Sequence, residues 1–182
     1  EAQDLLSKEL NIEATVVADP TILAGSEVFK PLVKDVRYKK YLFVYTLTNN
    51  PKTLQVAEEV AKKKGLQIIQ VNGNRKPFHK PNHIIINDAG PEEFLSLLFH
   101  SDFVVTDSFH GTVFSNLFHV PYITIPHKTR GGRMVTLLTE LGMLDRLIDK
   151  ADVSEMSIDW TVVDNNLKRM QNKSIEFINR SI

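Results

Sequence analysis

The densest polar run able to do chemistry is Thr106-Asp107-Ser108-Phe109-His110-Gly111-Thr112, set between the apolar stretch Phe103-Val104-Val105 and the helix-like stretch Phe109 to Phe118. A helix beginning here exposes first-turn amides that have no internal partner and sit at the positive end of its dipole. Such a turn suits a phosphate or a carboxylate. Asp107 or Ser108 can cap it. Gly111 permits close approach of a ligand or of the neighbouring strand, and His110 projects from the first turn within reach of a bound anion. A plainer reading also fits: Asp107 and Ser108 act as caps alone, and His110 is a hydrogen-bonded part of the frame.

A second cluster is His127-Lys128-Thr129-Arg130-Gly131-Gly132-Arg133. Lys128, Arg130 and Arg133 beside two glycines form a loop that can close on an anion, and the planar arginine fork matches carboxylate and phosphate geometry. Lys128 reads as a solvated charge. Arg133 is the stronger candidate, because it opens a helix, where the dipole disfavours a cation. A third cluster, Asn87-Asp88-Ala89-Gly90-Pro91-Glu92-Glu93, reads as a helix start whose acids complement the dipole. The other histidines lack metal-ligand spacing. No Walker loop, Gly-x-Gly-x-x-Gly, His-Glu-x-x-His or Gly-x-Ser-x-Gly occurs.

These clusters need elements to hold them. Residues 1–40 read as an interdomain lead-in segment: a helix end from Asp4 to Leu10, then a stop at Asp19-Pro20 and a break at Pro31. From Tyr41 the pattern alternates. Strands are expected at Tyr41 to Thr46, Leu66 to Val71, Ile84 to Ile86, Phe103 to Val105 and Tyr122 to Ile125. Between them run helices after Asn50-Pro51 (closed by Gly65), after Gly90-Pro91, from Phe109 to Phe118, and from Arg133 to Leu141 (closed by Gly142). Asp159 to Ile182 reads as a long terminal helix with Val163, Leu167, Met170, Phe177 and Ile178 on one side. The division is thus 1–40, a main domain over 41–158, and a C-terminal helix over 159–182. Alternating strands and helices imply parallel strands and right-handed crossovers. Continuous apolar strands imply a sheet covered on both faces. The expected fold is a doubly wound α/β domain, whose ligands bind beyond the carboxyl ends of its strands.

The composition is compatible with this. The chain has 182 residues, 42% hydrophobic and 24% charged, as a soluble globular domain does. A formal net charge of zero makes the whole chain a poor electrostatic partner for nucleic acid. The absence of cysteine excludes a disulfide scaffold, a thiolate nucleophile and a cysteine-ligated metal, and it fits a reducing compartment. No apolar run approaches the roughly 18–20 residues of a membrane span. The chain opens at Glu1 inside a polar helical pattern, as a piece of a longer protein would.

Gly90-Pro91-Glu92-Glu93-Phe94-Leu95, followed by Ser101-Asp102-Phe103-Val104-Val105-Thr106-Asp107-Ser108-Phe109-His110-Gly111-Thr112-Val113-Phe114-Ser115, resembles the polysaccharide pyruvyltransferase family. Val17-Ala18-Asp19-Pro20-Thr21-Ile22-Leu23 resembles the family's segment at the junction of its two halves, and Arg133 with Leu137-Leu138 and Leu141-Gly142 resembles a later helix. The resemblance spans roughly residues 12–148. It implies the Rossmann-like C-terminal half of a GT-B-like two-domain enzyme, with an N-terminal half supplied elsewhere in the same protein. It implies phosphoenolpyruvate as donor and a hexose hydroxyl pair as acceptor, on a cell-surface polysaccharide or a lipid-linked oligosaccharide precursor. It also implies a bacterial, cytoplasmic enzyme, or one peripheral at the inner face of the membrane. No nucleotide, flavin or metal is required. His110 becomes the acid–base candidate, Arg133 and Arg130 the anion clamp, Ser108, Gly111 and Thr112 supporting ligands, and Asp107 the residue that orients the turn. Two other readings are a GT-B glycosyltransferase using a nucleotide sugar, and a non-catalytic glycan-binding module.

Overall fold

A computed structural model describes residues 2–72, 77–126, 131–151 and 157–181. The expected loop from His127 to Arg130 lies outside them. Among the described residues, no helix is long and apolar enough to cross a membrane.

The chain opens with α1 (Ala2–Leu10), α2 (Pro20–Ala24), α3 (Ser26–Phe29) and a 3-10 turn at Lys30–Leu32. The alternating part comes next as β1 (Tyr41–Thr46), α4 (Pro51–Lys64), β2 (Gln67–Asn72), β3 (His83–Ile86), α5 (Pro91–Phe99), β4 (Phe103–Thr106), α6 (Phe109–Leu117), β5 (Tyr122–Thr124) and α7 (Gly132–Leu141). A 3-10 turn at Leu144–Arg146 and the long α8 (Trp160–Ser181) complete it. All five strands are parallel, in the order β3-β2-β1-β4-β5. This is the doubly wound, Rossmann-like α/β fold expected from the alternation. The chain builds outward from β1 to β3, then returns to place β4 on the other side of β1. The switch point therefore lies between the carboxyl ends of β1 and β4, where such folds bind ligands.

Local chemistry sets the element ends. The Asn50 side chain caps α4 by accepting from the Lys52 amide at 3.0 Å, Pro51 takes the first turn, and Gly65 ends the helix with φ +66°. Gly142 closes α7 in the same way with φ +73°. Asp19-Pro20, expected only to stop the chain, also starts a helix: Asp19 Oδ1 accepts from the Thr21 amide at 2.9 Å and Pro20 begins α2. A proline restricts the residue before it but suits the first turn of a helix.

Strand side chains alternate between two cores. Tyr41, Phe43, Ile69, Val104 and Tyr122 face a core shared with α2, α5, α6, α7 and α8. Leu42, Val44, Ile68, Val105 and Ile123 face a smaller one against α4. Each such side chain, buried in full, contributes about 1.5–3 kcal/mol relative to exposure. Packing crosses both boundaries drawn from the sequence. Ile22 of the lead-in segment is 1% exposed within the larger core, alongside Val163 and Leu167 of α8. Ser174 Oγ accepts from the Ala18 amide at 2.8 Å, and Gln171 Nε2 donates to the Ile22 carbonyl at 2.6 Å. The apolar side expected of α8 holds for Val163 and Leu167, but Phe177 is 40% exposed.

Candidate functional site

At the switch point, β1 and β4 are tied together by hydroxyls. Asp107 Oδ2 accepts from Thr46 Oγ1 at 2.8 Å and from Thr53 Oγ1 at 3.1 Å, and Thr46 Oγ1 accepts in turn from the Asn50 amide at 3.2 Å. The Asp107 carboxylate thus joins the end of β1 to the first turn of α4. Asn49, just beyond β1, sits at φ +51°, a conformation asparagine tolerates better than most residues. Its side chain accepts from Gln70 Nε2 at 2.9 Å and donates to Asn72 Oδ1 at 3.4 Å. Asn72 Nδ2 then donates to Asn87 Oδ1 at 2.8 Å. The sheet's carboxyl edge is therefore laced by amides from β1 to β3.

The β4–α6 turn is built from within. Ser108 is 3% exposed and is the N-cap of α6; its Oγ accepts from the Gly111 amide at 3.4 Å, and its carbonyl accepts the Thr112 amide at 3.1 Å. Thr112 is fully buried, its hydroxyl bonded to the Ser108 carbonyl and to Thr124 Oγ1. A Cβ at Gly111 would lie 2.4 Å from Thr106 Oγ1, so this glycine is required by the strand behind it. The Gly111 and Thr112 amides, expected to support a ligand, donate within the turn itself, and the Ser108 oxygen accepts there while its O–H remains a donor. Among the described residues, the Phe109 and His110 amides of this first turn have no hydrogen-bond partner.

His110 and Arg133 both stand at this end of the sheet, each in contact with Phe109. The Arg133 guanidinium lies 4.6 Å from the Phe109 ring centroid, and the His110 ring lies 5.6 Å from it on an edge contact. They line separate hollows. His110 borders one of about 360 Å³ with Tyr45, Asn72, Gly90, Pro91 and Phe94. Arg133 borders a small one of about 70 Å³ with Thr48 and Asp107, and a larger one of about 480 Å³ with Asp19, Phe109 and Lys173. Asp19 connects the two sides: its Oδ1 is 3.9 Å from His110 Nε2, and it lines the larger hollow with Arg133. Arg130 lies outside the described residues.

Several residues here were not singled out from the sequence. Asp19 carried a signal, since Asp-Pro-Thr is a helix-capping pattern. Tyr45 carried none beyond its place in a strand. Burial pushes its phenol pKa up, and the nearby Asp107 charge adds to this, so the hydroxyl stays protonated in the His110 hollow. The uncapped N-terminus of α5 faces the same hollow, with Gly90 at the cap position and no side chain capping it.

The sequence matches the family model for polysaccharide pyruvyl transferase over residues 3–129. No curated protein matches it significantly. Among solved structures it is similar to UDP-GlcNAc 2-epimerase from Methanocaldococcus jannaschii. The form in complex with UDP-GlcNAc and UDP gives 17% identity and a TM-score of 0.45, over 85% of this chain and 42% of that one. A second structure of that enzyme gives 18% identity and a TM-score of 0.42, over 80% of this chain and 42% of that one. The chain thus spans less than half the length of these structures. The family match takes in every strand, the Asp19 cap and the whole β4–α6 turn, and by it the chain belongs to the polysaccharide pyruvyl transferase family.

Proposed function

We propose that this chain is the donor-binding half of a pyruvyltransferase that moves a pyruvyl group from phosphoenolpyruvate to two hydroxyls of a hexose, forming a cyclic ketal on a polysaccharide or its lipid-linked precursor. One observation carries the reading: the family match covers the switch-point turn with His110, and Arg133, just past the matched residues, lies over the Phe109 ring of that turn. Phosphoenolpyruvate is a small, highly charged anion. The Phe109 and His110 amides suit one end of it, and Arg133, swung from the Phe109 face, suits the other. Ser108, Gly111, Thr112 and Asp107 form the frame that holds these groups.

The reaction needs four changes. A proton goes to the terminal enol carbon, and one sugar oxygen bonds to the central carbon as its own proton leaves. The bond from that carbon to the phosphate oxygen breaks, releasing phosphate, and the second sugar oxygen closes the ring as its proton leaves. His110 is half exposed, with Nε2 3.9 Å from Asp19 Oδ1, which leaves its ring within reach of a substrate at the turn. A positioned acid–base group contributes about 10²–10⁴-fold. On this reading the chemistry uses no nucleotide, flavin or metal, and the remainder of the site comes from another part of the protein.

Calorimetric titration of the protein with phosphoenolpyruvate, and separately with a panel of nucleotide sugars, tests the proposal. Saturable binding of phosphoenolpyruvate is expected, weakened at least tenfold in Arg133→Ala. Binding of a nucleotide sugar alone would replace the pyruvyl reading with glycosyl transfer. In the intact enzyme, His110→Ala is expected to lower kcat about 10²-fold or more, with thermal stability unchanged. Full activity in that variant would remove His110 from the chemistry.

A further inference from the structure

The chain has four tyrosines. The hydroxyls of three are paired within the fold. Tyr41 donates to the Leu97 carbonyl at 2.6 Å, Tyr122 is bonded to the Asn116 side chain at 3.0 Å, and Tyr38 accepts from Arg37 at 2.9 Å. The fourth, Tyr45, has a hydroxyl with no hydrogen-bond partner among the described residues, and it lines the hollow of about 360 Å³ at His110. A tyrosine drawn into the interior ordinarily finds a partner for its hydroxyl. Packing alone does not account for this residue, since phenylalanine would fill the same space.

Tyr45 stands at the carboxyl end of β1, level with Thr106 of β4 and Val71 of β2, so it belongs to the switch point. Its ring meets Phe94 edge-on with centroids 4.8 Å apart, and Phe94 meets Phe114 in the same manner at 6.0 Å. Phe114 follows His110 by four residues, so the two share a face of α6. A chain of aromatic contacts thus runs from the tyrosine to the helix face that carries the histidine. The hollow they border is selective in charge. No carboxylate lines it. Asp19, which is in contact with His110, lines the neighbouring hollow with Arg133 instead. Burial and the Asp107 charge both push the Tyr45 phenol pKa up, so the hydroxyl keeps its proton and remains a donor. A hydrogen bond donated to an anion is stronger than one donated to a neutral acceptor.

We propose that Tyr45 is a further substrate-binding residue, whose hydroxyl donates a hydrogen bond to an oxygen of the phosphoenolpyruvate anion beside His110. The identity of that anion rests on the pyruvyl-transfer reading; the capture of an oxyanion by Tyr45 does not. Carboxylate and phosphate oxygens offer the same acceptor chemistry, and the test separates them.

Calorimetric titration of the protein with phosphoenolpyruvate, inorganic phosphate and oxalate supplies that test. Tyr45→Phe keeps the ring and removes the donor. It is expected to weaken phosphoenolpyruvate binding about tenfold or more, with an unchanged thermal midpoint. Tyr41→Phe removes a hydroxyl that already has a partner, so it should lower the midpoint and leave binding unchanged. A parallel loss for phosphate assigns Tyr45 to the phosphoryl end of the donor, and a parallel loss for oxalate assigns it to the carboxylate end. Undiminished phosphoenolpyruvate binding in Tyr45→Phe would overturn the proposal and leave pyruvyl transfer standing. Should the parent protein bind phosphate or oxalate but not phosphoenolpyruvate, pyruvyl transfer falls. The same variant then decides the role of Tyr45 on that anion: a similar loss upholds it, and equal affinity removes it. A parent protein that binds none of the three overturns both.

Discussion

The Thr106 hydroxyl donates to the Tyr45 carbonyl at 2.7 Å and accepts the Ser108 amide at 3.0 Å, so it cannot turn aside for a new neighbour. Gly111→Ala would place a methyl 2.4 Å from it. The expected cost is about 1–3 kcal/mol, the usual range for overpacking, read as a lower denaturant midpoint. In a Thr106→Ala background the same change should cost less, and a double-mutant cycle measures that coupling. His83 gives a second residue-scale prediction. Its side chain is fully buried, with Nδ1 3.0 Å from Gln70 Oε1 and Nε2 3.3 Å from Glu58 Oε1. Burial lowers its pKa below the ordinary 6.5, an effect that the Glu58 carboxylate only partly offsets. The unfolded chain therefore binds a proton before the folded one does on acidification. The His83 contribution to stability is present above pH 6.5 and is lost as pH falls from there towards its folded pKa. Desolvation alone would raise the Glu58 pKa, but Lys80 and His83 together outweigh it and hold it below 4.5, so its contribution fades at lower pH still. Unfolding midpoints measured from pH 7 downward should decline through this range, and His83→Gln should flatten the upper part. The sequence showed His83 only as a histidine without metal-ligand spacing, because its burial depends on α4 packing beside β2 and β3.

Among the elements, α4, α5 and α6 were legible almost to their ends, since proline, glycine and a capping side chain mark them chemically. The strands were legible as apolar runs, and their ends shifted by only a residue or so. The short α2 was not expected, because an Asp-Pro pair signals a break as readily as a start. The Ser108 cap is the element-scale feature on which the candidate site depends. Ser108→Ala should cost about 1 kcal/mol of stability and loosen the first turn of α6. Hydrogen exchange at the Gly111 and Thr112 amides is the measurement, and protection equal to the parent protein would show that the cap is not what orders the turn.

At the scale of the molecule, the ends of the chain are built into the fold. Ser174 Oγ accepts from the Ala18 amide, and α8 supplies Val163 and Leu167 to the same core as Ile22. Ser174→Val should leave that amide without its partner at a cost of about 1–3 kcal/mol, measured by urea unfolding. Because Asp19 comes directly after Ala18 and stands 3.9 Å from His110, the same variant should also weaken phosphoenolpyruvate binding. Unchanged binding at reduced stability would show that α8 acts on the fold alone.

The sequence by itself determined the alternation of elements, the parallel sheet and the gathering of polar residues at one edge of it. Hydrophobic periodicity and end-capping chemistry are local, and a parallel fold sends every strand-to-helix turn to the same side. It also carried the family resemblance, since that lies in an ordered run of residues. Only the tertiary structure decided which of those residues face a hollow. Ser108, Gly111 and Thr112 turned inward because Thr106 and Thr124 lie behind them. His110 and Arg133 both met the ring of Phe109 yet came to line different hollows, and Arg37, Glu93 and Tyr38 were brought to one hollow by packing between segments more than fifty residues apart. A sequence records what a side chain can do; what it meets is set by contacts between distant segments.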